Sequence, residues 1–400
     1  MKKHLLILLV GLSSMAFSQD SLRVMYHNIL NFPSAGSNRI DTLRTILTYA
    51  KPDVYVVCEL ETEAGGDMIL NEALNVNGQT NYQRVAFVDG GTFTNNLLFY
   101  NADKLGFISQ EEIGTVLRDI NTYVLYYKAP NLTAQSDTIY LNFFACHLKA
   151  GSSDYQQRNT EIQQAKFYMN SIANQIENVF IGGDMNVYSG FESAILTMKN
   201  TGSVPLFDPI DVAANWSGDW NYADIHTQST RTGGLQGGAG GGMDDRFDLI
   251  FVSEDVLDSD NGVKYINNSY QALGQDGNHF NDNINDGFNS AAPDSVINAL
   301  YYASDHLPVI MDVVLDETAN IKKEKVDFPG VYYNVLEHAI NFSKLGGEPY
   351  KLKLFDLSGQ LVLEYEGSSG SINLPAIPAG IYLVKMRYKG EFTTSKLSVF

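Results

Sequence analysis

Apolar runs of strand length recur along the first three-quarters of the chain, and most of them close on a polar or charged residue. The first reads Leu22-Arg23-Val24-Met25-Tyr26-His27-Asn28, and the next, Val54-Tyr55-Val56-Val57-Cys58, stops at Glu59. Further strands are predicted at 96–100, 122–127, 138–146, 178–182, 247–252 and 309–314 from their β-branched and aromatic content. Two helical periodicities lie between them. Leu43, Ile46, Leu47 and Ala50 share one face of a helix over 41–50, which Pro52 stops. Ile162, Ala165, Tyr168 and Met169 recur at helical spacing over 156–176. Strands with both faces apolar, mixed with helices, predict an α/β fold whose sheets are covered by helices on their outer sides.

Two stretches break this pattern. Residues 230–243 are Gly-rich and residues 259–294 are dense in Asn, Asp and Gly, so both read as surface loops. Each precedes a predicted strand, which also makes a place at the rim of a site expected. Residues 316–326, with the run Lys322-Lys323-Glu324-Lys325, read as a linker. From 327 to 400 the alternation Lys351-Leu352-Lys353-Leu354, a tight turn at Asp356-Leu357-Ser358-Gly359 and a closing strand predict a small all-β, Ig-like sandwich. At the N-terminus a basic Lys2-Lys3-His4, an apolar Leu5 to Val10 and small Ala16 and Ser18 ahead of Gln19 form an export signal over 1–18. That stretch is short for a membrane span and no other is long enough, so stable membrane insertion is not expected. The expected organisation is therefore 1–18 signal peptide, 19–315 main domain, 316–326 linker and 327–400 sandwich.

Composition adds two constraints. Residues 19–315 hold 15 Lys/Arg against 36 Asp/Glu, a net of −21, whereas residues 316–400 balance at ten of each. So acidic a region lacks the electrostatic footprint of a tight nucleic-acid binder, although a hydrolase that holds a few phosphates through cations and local Arg remains compatible. The two cysteines, Cys58 and Cys146, precede Glu59 and His147 inside apolar runs. They read as buried free thiols, with no CxxC or His cluster to mark them as metal ligands.

The chemistry-bearing residues sit where those strands end. Glu59 closes an apolar run, so its carboxylate is expected at the rim and available to a hard cation. Asp184 and Asn186 lie two apart in Gly183-Asp184-Met185-Asn186, which lets both face one side. His147 ends another strand and is a candidate to protonate a leaving group or bind phosphate. In Ser304-Asp305-His306-Leu307-Pro308, Asp305 is a candidate second cation ligand, and His306 a candidate general base or stabiliser of a phosphorane. Arg231 and Arg246 flank the Gly-rich loop and could clamp phosphates. Arg158, and His279 with Asn281, are weaker candidates for substrate contact.

In order and local sequence, Asn28, Glu59, His147-Leu148, the Gly183–Asn186 run, Arg246-Phe247-Asp248 and the Ser304–Pro308 run resemble the motifs of the endonuclease/exonuclease/phosphatase superfamily, over roughly residues 20–315. The resemblance implies a four-layer α/β sandwich of two packed mixed sheets. It implies that Glu59 ligates a metal, with Cys58 where the family more often has Gln, and that Asn28 serves the metal shell or the scissile phosphate. It implies further that Asp184 orients or activates water, Asn186 holds it or the phosphate, and Asp248 is the partner of His306. All-oxygen ligands (Asn28, Glu59, Asp305) favour Mg²⁺ or Mn²⁺, with Ca²⁺ a further candidate, over structural zinc. The tail, through "DLSGQLV", "AGIYLVKM" and "SKLSVF", resembles the type A sorting domain of the type IX secretion system, implying that machinery as a partner and a secreted or cell-surface location. The expected activity is phosphodiester hydrolysis of extracellular DNA or RNA. A phosphatase or phospholipid phosphodiesterase, and a non-catalytic binding protein, are the alternatives.

Overall fold

A computed structural model describes residues 20–36, 39–130, 138–258, 262–315 and 329–399, except residues 344, 346, 358 and 390. The export signal over 1–18 and the linker over 316–326 fall outside these. In chain order the first unit contains β1 (Asp20–Phe32), α1 (Arg39–Ala50), β2 (Val54–Leu60), α2 (Glu63–Ile69), β3 (Tyr82–Arg84) and β4 (Asn95–Asn101). There follow β5 (Leu105–Ile113), β6 (Ile120–Tyr127), β7 (Tyr140–His147), α3 (Tyr155–Ser171), β8 (Val179–Asp184), α4 (Ser193–Asn200) and β9 (Leu206–Phe207). The unit closes with β10 (Asp248–Ser253), α5 (Glu254–Asp258), β11 (Val263–Tyr265), β12 (Gln271–Ala272), α6 (Asp294–Ala303) and β13 (Val309–Leu315).

These strands form two mixed sheets. One runs β11-β13-β1-β2-β4-β3 with β12 also on β13, and the other runs β5-β6-β7-β8-β10-β9. Their inner faces share one core, in which Tyr26, Val56 and Leu98 meet Phe143, Phe180 and Ile250. Phe143 and Phe180 stack with centroids 5.0 Å apart, a geometry that adds about 0.5–1.5 kcal/mol beyond the area buried. The apolar face of α1 (Leu43, Ile46, Leu47) covers the outer side of the first sheet. Ile162, Ala165 and Met169 of α3, with Ala194 and Met198 of α4, cover the second over Phe144, Ile181 and Leu249. Helix, sheet, sheet, helix is the four-layer α/β sandwich that the motifs imply.

Two expectations change here. Helix α3 ends at Ser171 rather than near Ile176, since the following Ala173 and Ile176 pack as partly buried residues outside the helix. The stretch 259–294 is not simply loop. It carries β11 and β12 and buries Tyr270, Leu273 and Ile284 in the main core. Cys58 and Cys146 are both buried free thiols.

The second compact unit, after residue 320, holds β14 (Gly330–Asn334), β15 (Ala339–Ser343), β16 (Tyr350–Phe355), β17 (Leu361–Gly367), β18 (Ser371–Asn373), β19 (Gly380–Tyr388) and β20 (Glu391–Val399). Its sheets, β14-β15-β18 and β17-β16-β19-β20, enclose a core of Ile340, Leu352, Leu354, Val384, Met386 and Leu397. The period-2 pattern explains this: Leu352 and Leu354 are buried while Lys351 and Lys353 are exposed, bonded to Glu366 and Glu364. No helix among the described residues is long and apolar enough to cross a membrane.

Candidate active site

Strand register assembles the candidate residues. Strands β7 and β8 are parallel and β10 is antiparallel to β8, so His147 pairs with Asp184 and Asp184 with Asp248, three polar groups abreast at one end of the second sheet. In the first sheet β1 and β2 are parallel, and Asn28 pairs with Cys58 beside Glu59. Both strands then lose register between Asn28 and Phe32, with Leu30, Asn31 and Glu59 at φ +47°, +42° and +60°. Left-handed non-glycine residues cost energy that surrounding contacts must hold. Here Asn31 N–H donates to Glu59 Oε2 (3.0 Å), and Leu30 N–H to Asn28 Oδ1 (3.0 Å). Buried Arg39 completes the clamp by donating to the carbonyls of Ile29, Leu30, Asn31 and Ala303. The bulge turns the Glu59 carboxylate toward the second sheet.

The two sheets meet through side chains. Asn28 Nδ2 donates to Glu59 Oε1 (2.9 Å) and Asp184 Oδ2 (3.0 Å). His147 Nε2 lies 3.7 Å from Glu59 Oε1 and 3.6 Å from Asp184 Oδ2. One ligand atom each from Glu59, His147 and Asp184 falls within a 4.8 Å span, a grouping able to hold a metal ion. His306 Nδ1 sits 2.7 Å from Asp248 Oδ2, and its Nε2 lies 3.6 Å from Asp184 Oδ2. Asn186, at φ +50°, donates its backbone N–H to Asp184 Oδ1 and its Nδ2 to the Leu148 carbonyl. A turn, not strand alternation, therefore places it.

Burial and neighbouring charges set the protonation of this cluster. Asp184 is pushed up to about 7, by burial first and then by the charges of Asp248 and Glu59, against the pull of His306 and the Asn28 bond. Burial alone would lower His306, yet Asp248 and Asp184 together raise it well above the usual histidine range. His147 is driven well below that range by burial, with Arg118 and His306 adding to the effect. Burial and charge thus push the two histidines in opposite directions, His306 toward the imidazolium and His147 toward the neutral ring.

The structure leaves several predicted residues outside the cluster. Asp305 Oδ2 accepts from the Ala239 N–H (2.6 Å) and from Gln228 Nε2 (3.3 Å), so it faces the Gly-rich loop while His306 faces the site. Arg246 is not at a rim: it is fully buried in a two-bond pair with Asp208 at 2.8 and 3.0 Å, its guanidinium over Trp216 and Tyr270. Arg231 is also buried, donating to the carbonyls of Tyr301 and Leu235. Arg158 is neither solvated nor at the site, since it pairs with Glu192 and caps the carbonyls of Lys149 and Gly151. Both ring nitrogens of His279 are occupied, by Asp276 and the Asp286 carbonyl.

Three contributors have no motif to reveal them. Gln228 places its amide 2.6 Å from His306 Nε2. Thr227 Oγ1 accepts the N–H groups of Phe247 and Asp248, fixing the start of β10. Arg118 donates from Nη1 to the carbonyls of His147 (2.9 Å) and Leu148 (3.2 Å). Each acts through a contact distant in sequence, which local pattern cannot report.

With this geometry in view, comparison with known proteins divides the chain. Residues 333–399 match the secretion system C-terminal sorting domain family. The tail is thus as its motifs suggested. No curated protein matches the chain. Among solved structures, D. rerio TDP2 complexed with single-strand DNA product is similar at 16% identity and a TM-score of 0.46, covering 73% of this chain and 98% of that one. An endonuclease/exonuclease/phosphatase family protein from Bacteroides thetaiotaomicron is similar at 15% identity and 0.47, covering 76% and 98%. The human Nocturnin catalytic domain with bound sulfate is similar at 13% and 0.46, covering 74% and 97%.

Proposed function

We propose that the chain is an exported, divalent-cation-dependent phosphodiesterase whose substrate is DNA or RNA. The observation that carries this is the convergence of Glu59, His147 and Asp184 beside the Asp248–His306 pair at one sheet end. Burial, with the charges of Asp248 and Glu59 added to it, pushes Asp184 up to about 7, and a cation between Glu59 and Asp184 would offset that charge, so the donor set fits one. Glu59 would hold Mg²⁺ or Mn²⁺, with Asn28 orienting its carboxylate. When bound, the ion supplies charge neutralisation at the non-bridging phosphoryl oxygens.

The chain's own residues divide the remaining work. Asp184, poised near neutrality, takes the proton of the attacking water, and Asn186 holds that water or the phosphate. His306, held toward the imidazolium by Asp248 and Asp184, stabilises negative charge on the pentacoordinate phosphorus. His147 is pushed toward the neutral ring, and among the described residues its Nδ1 is buried without a partner, which favours the proton on Nε2, facing substrate and leaving group. Asp305 braces the Gly-rich loop against His306 rather than joining Glu59.

Nucleic acid is favoured because, among the described residues, Arg39, Arg158, Arg231 and Arg246 are all buried and bound, so they line no cationic pocket for a compact, multiply charged headgroup. Phe93, 90% exposed just before β4, and Trp220, 70% exposed, offer flat faces for bases. The sorting domain supports delivery outside the cell or to its surface by the type IX machinery. The test compares plasmid DNA, total RNA, sphingomyelin, inositol phosphates and a simple phosphomonoester at equal enzyme. Nucleic-acid cleavage that needs the cation and weakens with monovalent salt is expected. Rapid turnover of monoester or lipid with intact nucleic acids would overturn the substrate assignment.

A further inference from the structure

Residues 227–230 lie as a strip between the start of β10 and the segment that carries His306. Gln228 N–H donates to the Asp245 carbonyl (3.0 Å), and its own carbonyl accepts the N–H groups of Asp244 and Asp245 (2.9 Å each). On the other side the Thr227 carbonyl accepts the Leu307 N–H (2.7 Å), and the Thr230 N–H donates to the Asp305 carbonyl (3.0 Å). Thr227, Ser229 and Thr230 are buried and Gln228 is half-buried, so its backbone is fixed while its side chain reaches into the site. There the amide meets two groups at once, His306 Nε2 at 2.6 Å and Asp305 Oδ2 at 3.3 Å. Asp305 in turn holds the Ala239 N–H, so the amide has an anchor of its own and does not hang from the histidine.

The distances show what this contact prevents. His306 Nε2 lies 3.6 Å from Asp184 Oδ2, just outside hydrogen-bond range. Both side chains are buried, and the surrounding acids push His306 toward the imidazolium, so attraction draws the pair together. Left to itself such a pair closes to about 2.8 Å, the length of a charge-assisted hydrogen bond. Closure would crowd the carboxylate. Asp184 Oδ1 already accepts the Asn186 N–H (3.1 Å) and Oδ2 the Asn28 amide (3.0 Å), with His147 Nε2 also 3.6 Å from Oδ2. A bond from His306 would then occupy both the oxygen that takes the water's proton and the N–H that faces the phosphorane. The ring is pinned at Nδ1 by Asp248 (2.7 Å), and a second contact at Nε2 fixes its remaining rotation. An amide suits that place, since it meets Nε2 in either protonation state, donating to a bare nitrogen or, turned over, accepting from an N–H.

We propose that Gln228 is a positioning residue that holds His306 off Asp184, keeping the base and the group that stabilises the phosphorane apart until substrate comes between them. This deepens the phosphodiesterase reading and rests on it. The test uses the full chain as Gln228→Ala and Gln228→Met, the second filling the same space without a hydrogen bond, each checked for folding by thermal unfolding. Crystal structures without added cation should show His306 Nε2 closing on Asp184 Oδ2 in both variants. On bis(p-nitrophenyl) phosphate with saturating Mn²⁺, kcat should fall about 10–100-fold, the factor for a hydrogen bond to a charged group. KM should stay at the native value, because the closed pair persists in the substrate complex. A separation that stays at 3.6 Å, native kcat in spite of a closed pair, or a Met variant that behaves as the native protein would overturn the spacer role. A loss carried by KM alone would overturn it equally and make Gln228 a substrate contact. A native enzyme that hydrolyses no phosphodiester would overturn the proposed function, while the separation in the variants would still decide the spacing.

Discussion

Replacing Asp248 by Asn tests the electrostatic core of the site. The carboxylate lies 2.7 Å from His306 Nδ1, and the two side chains are 0% and 4% exposed. With Asp248 neutral, Asp184, 3.6 Å from Nε2, and to a lesser degree Asp305 still favour the imidazolium, while burial continues to oppose it. His306 should then lose its proton at a lower pH, and the charge that stabilises the phosphorane goes with it. Loss of such a group costs roughly 10²–10⁴ in rate, or about 3–5 kcal/mol at 1.4 kcal/mol per tenfold. The stability cost should be smaller, on the order of 1–3 kcal/mol, because Asn preserves shape and one acceptor. Since Asp248 acts through His306, adding Asp248→Asn to His306→Ala should cost little beyond His306→Ala alone. The assay is kcat/KM on bis(p-nitrophenyl) phosphate with saturating Mn²⁺ for native, single and double variants, together with NMR titration of the His306 ring. Additive losses, or a His306 that stays protonated to the same pH in the variant, would refute the pairing.

Three further outcomes are expected. EDTA should abolish activity and Mg²⁺ or Mn²⁺ restore it, and Mn²⁺ should raise the thermal midpoint of the native protein more than that of Glu59→Gln, the stabilisation reaching about 2.7 kcal/mol at a hundredfold excess over Kd; full activity after exhaustive chelation would contradict the site. Buried Lys166, donating to the Met198 and Val204 carbonyls, is lowered by burial from 10.5 to about 8, so the unfolded chain binds the extra proton between those values and stability should rise with pH across that window. Urea melts at pH 7, 9 and 10 should show the native protein gaining on Lys166→Met, and a pH-independent difference would count against the assignment. Residues 19–320, which end where the two compact units divide, should fold and retain activity without the tail, whereas a folded but inactive product would place the tail in the active site.

The apolar runs, their lengths and the polar residues that close them are local properties, and they sufficed to locate most strands of the two sheets, α1 and the C-terminal sandwich. They also located the residues at the strand ends, because a carboxylate or imidazole after a buried run has to emerge where the strand does. Helix α6 and strand β5 were not legible: one lies at the end of an Asn-rich stretch, and the other is an edge strand with exposed Phe107 and Ile108. Only the tertiary structure decided which polar groups face one another. The pairing of His147, Asp184 and Asp248 depends on the register of three strands far apart in sequence, and the turning of Glu59 depends on a bulge held by Arg39 and Asn31. An arginine beside a glycine-rich loop looks like a phosphate clamp until Asp208, 38 residues away, is found to hold Arg246. Arg118 offers no motif, and its hold on the His147 and Leu148 carbonyls becomes visible only once the strands are paired. Hydrophobic periodicity is written into neighbouring residues, whereas the partner of a buried charge is chosen by the packing of the whole unit.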